Sequence, residues 1–192
     1  MNEFPPRPAQ VEAISLLVEA FSTVVEGDAA VYVSSPLTTG PRAFEWHRQH
    51  APETPTFVSE VIEPNRRDAA AFVRTVRAKT SNPVIDPTAM KDLEGWEQSD
   101  YRYFWGRVIQ DYCYEVIFRE GWQYSSGCSY EFLVAVKKGI PMFTERLQPL
   151  VVAEGIELLG RAAVETEEQR ASAAFLAAVR HELLKHQVVW RR

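Results

Sequence analysis

Residues 121–131 read GWQYSSGCSYE, and they separate a strand-like run, YEVIF at residues 114–118, from a helix-like run, FLVAVKKG at residues 132–139. A strand that leads into a turn of small residues and then a helix is the arrangement in which an open α/β sheet forms its ligand crevice. The turn offers backbone N–H groups and hydroxyls to a polar or anionic ligand. Glu131 falls in the first turns of the helix that follows, so we expect its carboxylate to face that crevice as a nucleophile or a base.

Strands and helices alternate on both sides of this stretch. We predict short strands at residues 29–34, 83–87 and 139–143, and helices over residues 8–26, 66–79 and 100–110. The segment at 58–62 fits a strand or a helix end, and residues 42–50 fit a short helix. Asn65 is the predicted N-cap of the second helix, and Ser99 or Asp100 that of the third. The alternation predicts an α/β fold in which a parallel sheet carries helices on both faces.

Helical segments flank the predicted core. We expect an N-terminal helix within residues 1–28, an α/β core at residues 29–145 and a helical extension at residues 146–192. Within the extension, one helix is predicted at residues 150–159, and a second opens at the capping-box sequence TEEQ of residues 166–169. The apolar faces of the terminal helices fit two arrangements equally well: packing on the sheet of the same chain, or an interface between two copies.

Composition narrows the class of protein. The 192 residues suffice for one domain with a sizeable core, and the net charge of −5 argues against nucleic-acid binding as the main function. No apolar run approaches the ~20 residues that a membrane-spanning helix needs. The first residues lack the basic and apolar segments of a signal peptide. We therefore expect a cytoplasmic protein whose partners include neither a membrane nor a nucleic-acid polymer.

Cysteines and histidines give no sign of a metal centre. Cys113 and Cys128 are too few for a disulfide framework or a zinc site, and we interpret them as reduced thiols near the crevice. The four histidines, at positions 47, 50, 181 and 186, show no ligand spacing with carboxylates or thiols. The sequence therefore predicts no metal.

Four pieces of the chain, in order, resemble the nucleoside 2-deoxyribosyltransferase superfamily. This superfamily includes the 2′-deoxynucleoside 5′-phosphate N-hydrolases and a related, mostly uncharacterised bacterial and phage branch. The pieces are VYVSSP at residues 31–36, IDP at residues 85–87, Gly121-Trp122-x-x-Ser125-x-Gly127-x-x-x-Glu131, and GIPM at residues 139–142. The third piece is the most specific of the four, and together they cover roughly residues 29–143.

The resemblance implies a flavodoxin-like or Rossmann-like fold and an enzyme that cleaves the bond between a sugar and a nucleobase. It implies that Glu131 attacks the anomeric carbon, that Tyr32 orients Glu131, and that Ser125 contacts the sugar or its phosphate. The loop after the first strand would cradle the sugar-phosphate end, with the candidate binding residues Ser34, Ser35 and Pro36. The family needs no cofactor, and it often completes its sites across a homodimer, so we expect a homo-oligomer that binds a small nucleoside or nucleotide.

The chain departs from the family pattern at the group that protonates the leaving base. The family usually carries an acid on the helix before the central strand, where this chain has Arg107 or a residue near it. The remaining candidate acids are Asp100, at the predicted helix start, and Asp111, just before the strand. Tyr114 stands where an aspartate often enters that strand.

Other residues of the turn have two interpretations each. Trp122 either stacks on a base or packs on the sheet edge. Ser126 and Gly127, like Ser125, either bind phosphate or sugar hydroxyls or shape the turn itself. Three alternatives to the glycosidase also stay open: a nucleotide-binding module without chemistry, an NAD-cleaving enzyme of the same fold type, and an interaction protein whose extra helices dock a partner.

Overall fold

The computed structural model describes residues 7–50, 54–167 and 170–190, with the side chains of residues 170, 171 and 187–190 outside the description. The strands are β1 (Ala30–Ser34), β2 (Val84–Ile85), β3 (Cys113–Phe118) and β4 (Met142–Thr144). The α-helices are α1 (Val11–Ala20), α2 (Pro41–Gln49), α3 (Glu63–Arg77), α4 (Gln98–Tyr112), α5 (Ser126–Lys138), α6 (Val152–Glu165) and α7 (Arg170–Trp190). Short 3-10 segments precede and follow α1, and a π-helical turn, Val58–Ile62, leads into α3.

The four strands form one parallel sheet in the order β2-β1-β3-β4. Tyr32 of β1 lies beside Ile85 of β2 and Val116 of β3. The chain leaves β1 toward β2 on one side and returns to β3 on the other, so the strand order reverses between β1 and β3. In open α/β sheets, ligands bind beyond the carboxyl ends of the strands at such a reversal. The predicted α/β fold with a parallel, Rossmann-like sheet is confirmed.

The apolar side chains of the central strands point alternately to the two faces of the sheet and pack on both. Because successive residues of a strand point to opposite faces, β1 sends Ala30 and Tyr32 to one side and Val31 and Val33 to the other. The first side packs against helices that include α4 and α5, and the second against α3 through Val73 and Val76. The sheet therefore has helices on both faces, as the sequence predicts.

Helices α4 and α5 approach each other closely at Gly106. A β-carbon placed there would lie 2.8 Å from Cε1 of Tyr130, so any larger residue would push the two helices apart. This contact sets the distance between α4 and α5.

The flanking helices join the same core. Ile14 and Val18 bury one face of α1, and α6 and α7 add apolar side chains to the same cluster: Ile156, Leu159, Leu176, Val179 and Leu183. The apolar face predicted for the last helix thus packs largely within the chain, although Leu184 is 37% exposed. The predicted capping box at residues 166–169 extends outside the described residues.

Several predicted boundaries are wrong. The segment Val58–Ile62 is helical, so the second predicted helix begins before Asn65, which is buried inside α3. The Asn65 side chain binds no helix N–H; its amide donates to the carbonyl of Leu37 at 2.7 Å. The third helix is capped at Glu97, whose N–H donates to the Asp100 side chain at 2.9 Å. The strand predicted at residues 83–87 pairs over only two residues.

Within the ranges given above, no helix combines the length and the apolar character that crossing a membrane requires.

Candidate active site

A cleft lies beyond the carboxyl ends of β1 and β3, where the strand order reverses. Its cavity volume is about 140 Å³, which is below the ~300–1,000 Å³ of typical small-molecule sites, and the cleft opens to solvent. Four segments line it: the loop after β1, the loop after β2, one face of α4, and the turn into α5. The cleft therefore occupies the position that the fold favours for a ligand.

Glu131 is a buried carboxylate at this cleft, with 7% of its surface exposed. The Tyr32 hydroxyl donates to Oε1 at 2.7 Å, and the Ser34 hydroxyl donates to Oε2 at 2.6 Å. Tyr32 and Ser34 are two residues apart on β1, so both side chains leave the same face of the strand. Each carboxylate oxygen is thus held by one neutral donor.

Burial and hydrogen bonding act on the Glu131 carboxyl in opposite directions. Burial raises its pKa, the hydrogen bonds from Ser34 and Tyr32 lower it, and the net pKa is above the ordinary value. Burial and the neighbouring Glu131 charge raise the pKa of Tyr32 well above its usual range. Tyr32 therefore stays protonated and donates its O–H to Glu131.

Hydroxyl groups gather around the N-terminus of α5. Ser125 is the N-cap of this helix, and its hydroxyl accepts a hydrogen bond from Thr39 at 2.9 Å, which ties the loop after β1 to the turn. Ser35 lines the same cleft, and its buried hydroxyl has no hydrogen-bond partner in the described part of the chain. With the N–H groups of the first helical turn, these hydroxyls can bind an anion or sugar hydroxyls.

Gly121 allows this turn to close. Its φ is +80°, a left-handed conformation, and a β-carbon there would lie 2.4 Å from Cγ of Pro41. Only glycine fits both the conformation and the contact. The turn consequently packs directly on the start of α2.

Helix α4 presents a mixed face to the cleft, made of Gln98, Tyr101, Arg102 and Trp105. The guanidinium of Arg102 lies 4.5 Å from the ring centroid of Phe175, and its buried Nε has no hydrogen-bond partner among residues 7–50, 54–167 and 170–190. The Tyr101 hydroxyl accepts from the backbone N–H of Leu93 at 2.7 Å, which fastens the loop after β2. Trp105 packs edge-on against Tyr32.

Six of the residues predicted for the site come together here: Tyr32, Ser34, Ser35, Ser125, Gly127 and Glu131. The Ser34 hydroxyl donates to Glu131. Pro36, Trp122 and Ser126 are not part of the cleft lining. Trp122 lies in the core, 4% exposed and stacked on Phe132, and Pro36 packs against Gly40.

The two candidate acids lie apart from Glu131. Asp100 is fully buried and accepts from the Arg7 side chain, at 2.9 Å from Nε and 2.6 Å from Nη2. Burial alone would raise the pKa of Asp100, but the hydrogen bonds from Arg7 and from the Glu97 N–H hold it below its ordinary value. Asp111 pairs with Arg107 at 2.9 Å. Neither carboxylate lines the cleft, and the ionised Asp100 holds no proton to donate at neutral pH.

Arg102, Tyr101, Gln98 and Asp92 line the cleft without having been predicted as site residues. The available signal was the spacing within α4. Residues 98, 101, 102 and 105 follow the i, i+3, i+4, i+7 pattern of one helix face, and a charged residue interrupts the aromatic side chains on that face.

No protein-family profile, curated protein or solved structure matches this chain. The resemblance to the deoxyribosyltransferase superfamily therefore stays a prediction, and we infer the function from the geometry of the cleft.

Proposed function

We propose that this protein is an enzyme that cleaves the N-glycosidic bond of a nucleoside or nucleotide, with Glu131 as the nucleophile. One observation carries the proposal. Glu131 is a buried carboxylate at a cleft, and neutral O–H donors fix both of its oxygens. Burying a carboxylate without a cationic partner is costly, and perturbed carboxylates in clefts are associated with functional sites.

The reaction would follow the double displacement of retaining glycosidases. An oxygen of Glu131 attacks the anomeric carbon while the bond from that carbon to the base nitrogen breaks, and the base leaves with the electron pair. The resulting glycosyl ester is then attacked at the anomeric carbon by water or by a second base, which releases the Glu131 carboxylate. Tyr32 and Ser34 orient the carboxylate in both steps.

The hydroxyl groups around the N-terminus of α5 suit the sugar end of such a substrate. Ser35 and Ser125 offer O–H groups, and Gly127 offers backbone N–H in the first turn of the helix. Positive charge at a helix N-terminus favours a phosphate there. A 5′-phosphate or the sugar hydroxyls would bind at this end, with the anomeric carbon toward Glu131.

The test is chemical rescue of Glu131→Ala. The wild type and the variant are incubated with a panel of nucleosides, deoxynucleoside monophosphates and NAD, and free base is measured by chromatography. We expect the variant to lose about 10³-fold or more in rate, as is common when a catalytic nucleophile is removed. Added azide should enter the vacated space and give a glycosyl azide whose anomeric configuration is inverted relative to the substrate.

The matched control is Glu165→Ala, because Glu165 also accepts from a tyrosine hydroxyl, that of Tyr124, but is exposed on α6. This variant should release base at the wild-type rate. Base release from Glu131→Ala at that same rate would overturn the proposal. Loss of activity without an azide product would contradict the role of Glu131 as the nucleophile.

A nucleotide-binding module without chemistry is the second candidate. Asp100 and Asp111 lie outside the cleft lining, so neither acid is placed there to protonate a leaving base. For this alternative, a nucleotide should bind and be recovered unchanged after prolonged incubation. Release of nicotinamide from NAD would instead identify an NAD-cleaving enzyme.

A further inference from the structure

Arg102 brings a fixed positive charge to the cleft that contains Glu131. Arg102 lines the cleft from α4, and the ring of Phe175 on α7 lies 4.5 Å from the centre of its guanidinium. The described residues provide no hydrogen-bond acceptor for its buried Nε. A buried N–H without an acceptor is energetically costly, so the side chain is suited to a ligand that supplies the acceptor.

A guanidinium stabilises negative charge but does not donate its proton. Burial lowers the pKa of Arg102, yet arginine stays protonated in proteins at neutral pH. Apart from Glu131, Asp92 is the carboxylate among the lining residues that the structure describes, and Asp92 is exposed on the loop after β2. The buried part of the cleft therefore offers charge stabilisation to a leaving group instead of a proton.

We propose that Arg102 binds the leaving group and that this group departs as an anion, specifically a pyrimidine-2,4-dione base of the uracil type. This proposal rests on the glycosidase function proposed above. When the bond from the anomeric carbon to N1 breaks, N1 takes the electron pair, and the charge spreads onto O2 and O4. The guanidinium N–H groups donate to a carbonyl oxygen that gains this charge, and the released anion later takes a proton from water.

The same helix face also suits the shape of such a base. Tyr101 and Trp105 flank Arg102 at helical spacing, and aromatic rings bind a flat base by stacking. Contact with Phe175 holds the guanidinium in place before the reaction, and donors fixed in advance stabilise developing charge most effectively. Adenine lacks a carbonyl oxygen, and its departure is promoted by protonation of the ring, for which the buried lining has no acid.

The experiment compares leaving groups in the full-length protein. Wild type, Arg102→Met and Arg102→Lys are assayed on 2′-deoxyuridine and 2′-deoxyadenosine, each with and without a 5′-phosphate, and on p-nitrophenyl 2-deoxyriboside. The last compound has a leaving group that departs as an anion without assistance. Arg107→Met is the matched control, because Arg107 is on the same helix but pairs with Asp111 outside the cleft.

We expect the wild type to release uracil at least about 10-fold faster than adenine. Arg102→Met should lose about 100-fold or more on deoxyuridine substrates, in line with the removal of other charge-stabilising donors. Its loss on the p-nitrophenyl compound should be small, and Arg102→Lys should recover part of the rate. Within a series of 5-substituted uracils, the rate of Arg102→Met should depend more steeply on leaving-group acidity than that of the wild type.

Four outcomes would overturn the proposal. Adenine released as fast as uracil would show that no anionic leaving group is required. An equal loss on every substrate, including the p-nitrophenyl compound, would make Arg102 a structural residue. Cleavage of only the p-nitrophenyl compound, dependent on Glu131, would reject the uracil-type substrate and keep the glycosidase function. If no substrate is cleaved by folded wild type, the glycosidase function and this proposal fail together.

Discussion

Asp100 and Glu131 are the buried carboxylates of the described chain, and their surroundings differ in kind. Asp100 meets a cation: the Arg7 side chain donates to it from two nitrogens, and the backbone N–H groups of Arg7 and Glu97 add further hydrogen bonds. Among the described residues, the hydrogen-bond donors to Glu131 are the neutral hydroxyls of Tyr32 and Ser34. The pKa of Asp100 is consequently lowered and that of Glu131 is raised.

The difference separates a carboxylate that stabilises the fold from one that costs stability. The contacts of Asp100 outweigh its desolvation, so the charged form is favoured in the folded state. Those of Glu131 do not, so its charged form is disfavoured by folding. The disfavoured charge of Glu131 beside the cleft supports the catalytic role proposed for it, and the favoured charge of Asp100 supports a structural role.

The largest effect on stability should come from Asp100→Ala. The substitution leaves the Arg7 and Glu97 donors without their acceptor, which we expect to cost about 2–3 kcal/mol in the free energy of unfolding. For a chain of this length, Tm should fall by about 4–12 °C. Base release per folded molecule should be unchanged at a temperature where the variant is folded, as measured by circular dichroism and chromatography together.

A pH series sharpens this prediction. The pKa of Asp100 is lower in the folded than in the unfolded chain, so its contribution to stability is present above the unfolded pKa. That contribution is lost as the pH falls through the folded pKa. The Tm difference between wild type and Asp100→Ala should therefore be largest near neutral pH and shrink in acid. A constant difference across this range would contradict the assignment.

Tyr32→Phe should have the next largest effect, on catalysis. Loss of one donor to a charged carboxylate is expected to cost about 1.5–2 kcal/mol, or roughly 10- to 30-fold in rate. Because this donor lowers the pKa of Glu131, its removal should raise that pKa further and move the acid limb of the pH–rate profile to higher pH.

Ser34→Ala tests the other oxygen of the same carboxylate and should shift the profile in the same direction. Tyr124→Phe is the control, since it removes a tyrosine donor from the exposed Glu165. A pH–rate profile that stays in place in both β1 variants would show that these hydroxyls do not act on the reacting group.

The sequence predicted the helices and strands better than it predicted the contacts between residues that are distant in the chain. Short apolar runs in the strands and 3.6-residue periodicity in the helices are local properties, and the alternation of the two along the chain indicated the parallel sheet and its helices. The start of α3 was wrong because a π-helical turn leaves no simple pattern in sequence, and Asn65 binds the distant Leu37 carbonyl instead of a helix N–H.

In the candidate site, too, features contiguous in the chain were predicted and contacts between distant residues were mostly missed. Glu131 and its turn could be predicted because strand, turn and helix are contiguous in the chain. The contact of Tyr32 with Glu131 spans 99 positions, and it was expected only through the resemblance. The pairing of Arg7 with Asp100 spans 93 positions and was not predicted at all, so Asp100 was taken for an acid. Arg102 was missed because its lack of an acceptor depends on three-dimensional packing.

The smallest expected change in stability comes from Glu131→Gln. This substitution should stabilise the protein slightly and remove its activity. The pKa of Glu131 is higher in the folded than in the unfolded chain, so stability falls as the pH rises from the unfolded pKa through the folded pKa. A glutamine carries no charge and can still accept from Tyr32. We expect a gain of about 1 kcal/mol near neutral pH, within the usual range for relieved strain at functional sites, and a Tm higher by about 2–4 °C.

The gain should disappear in acid, where Glu131 is protonated in both states, and Glu165→Gln should show none because Glu165 is exposed. A loss of stability in Glu131→Gln near neutral pH would mean that the charged carboxylate contributes to folding, as Asp100 does. In that case the contrast between the two buried carboxylates would no longer distinguish chemistry from structure, and the assignment of Glu131 would depend on azide rescue alone.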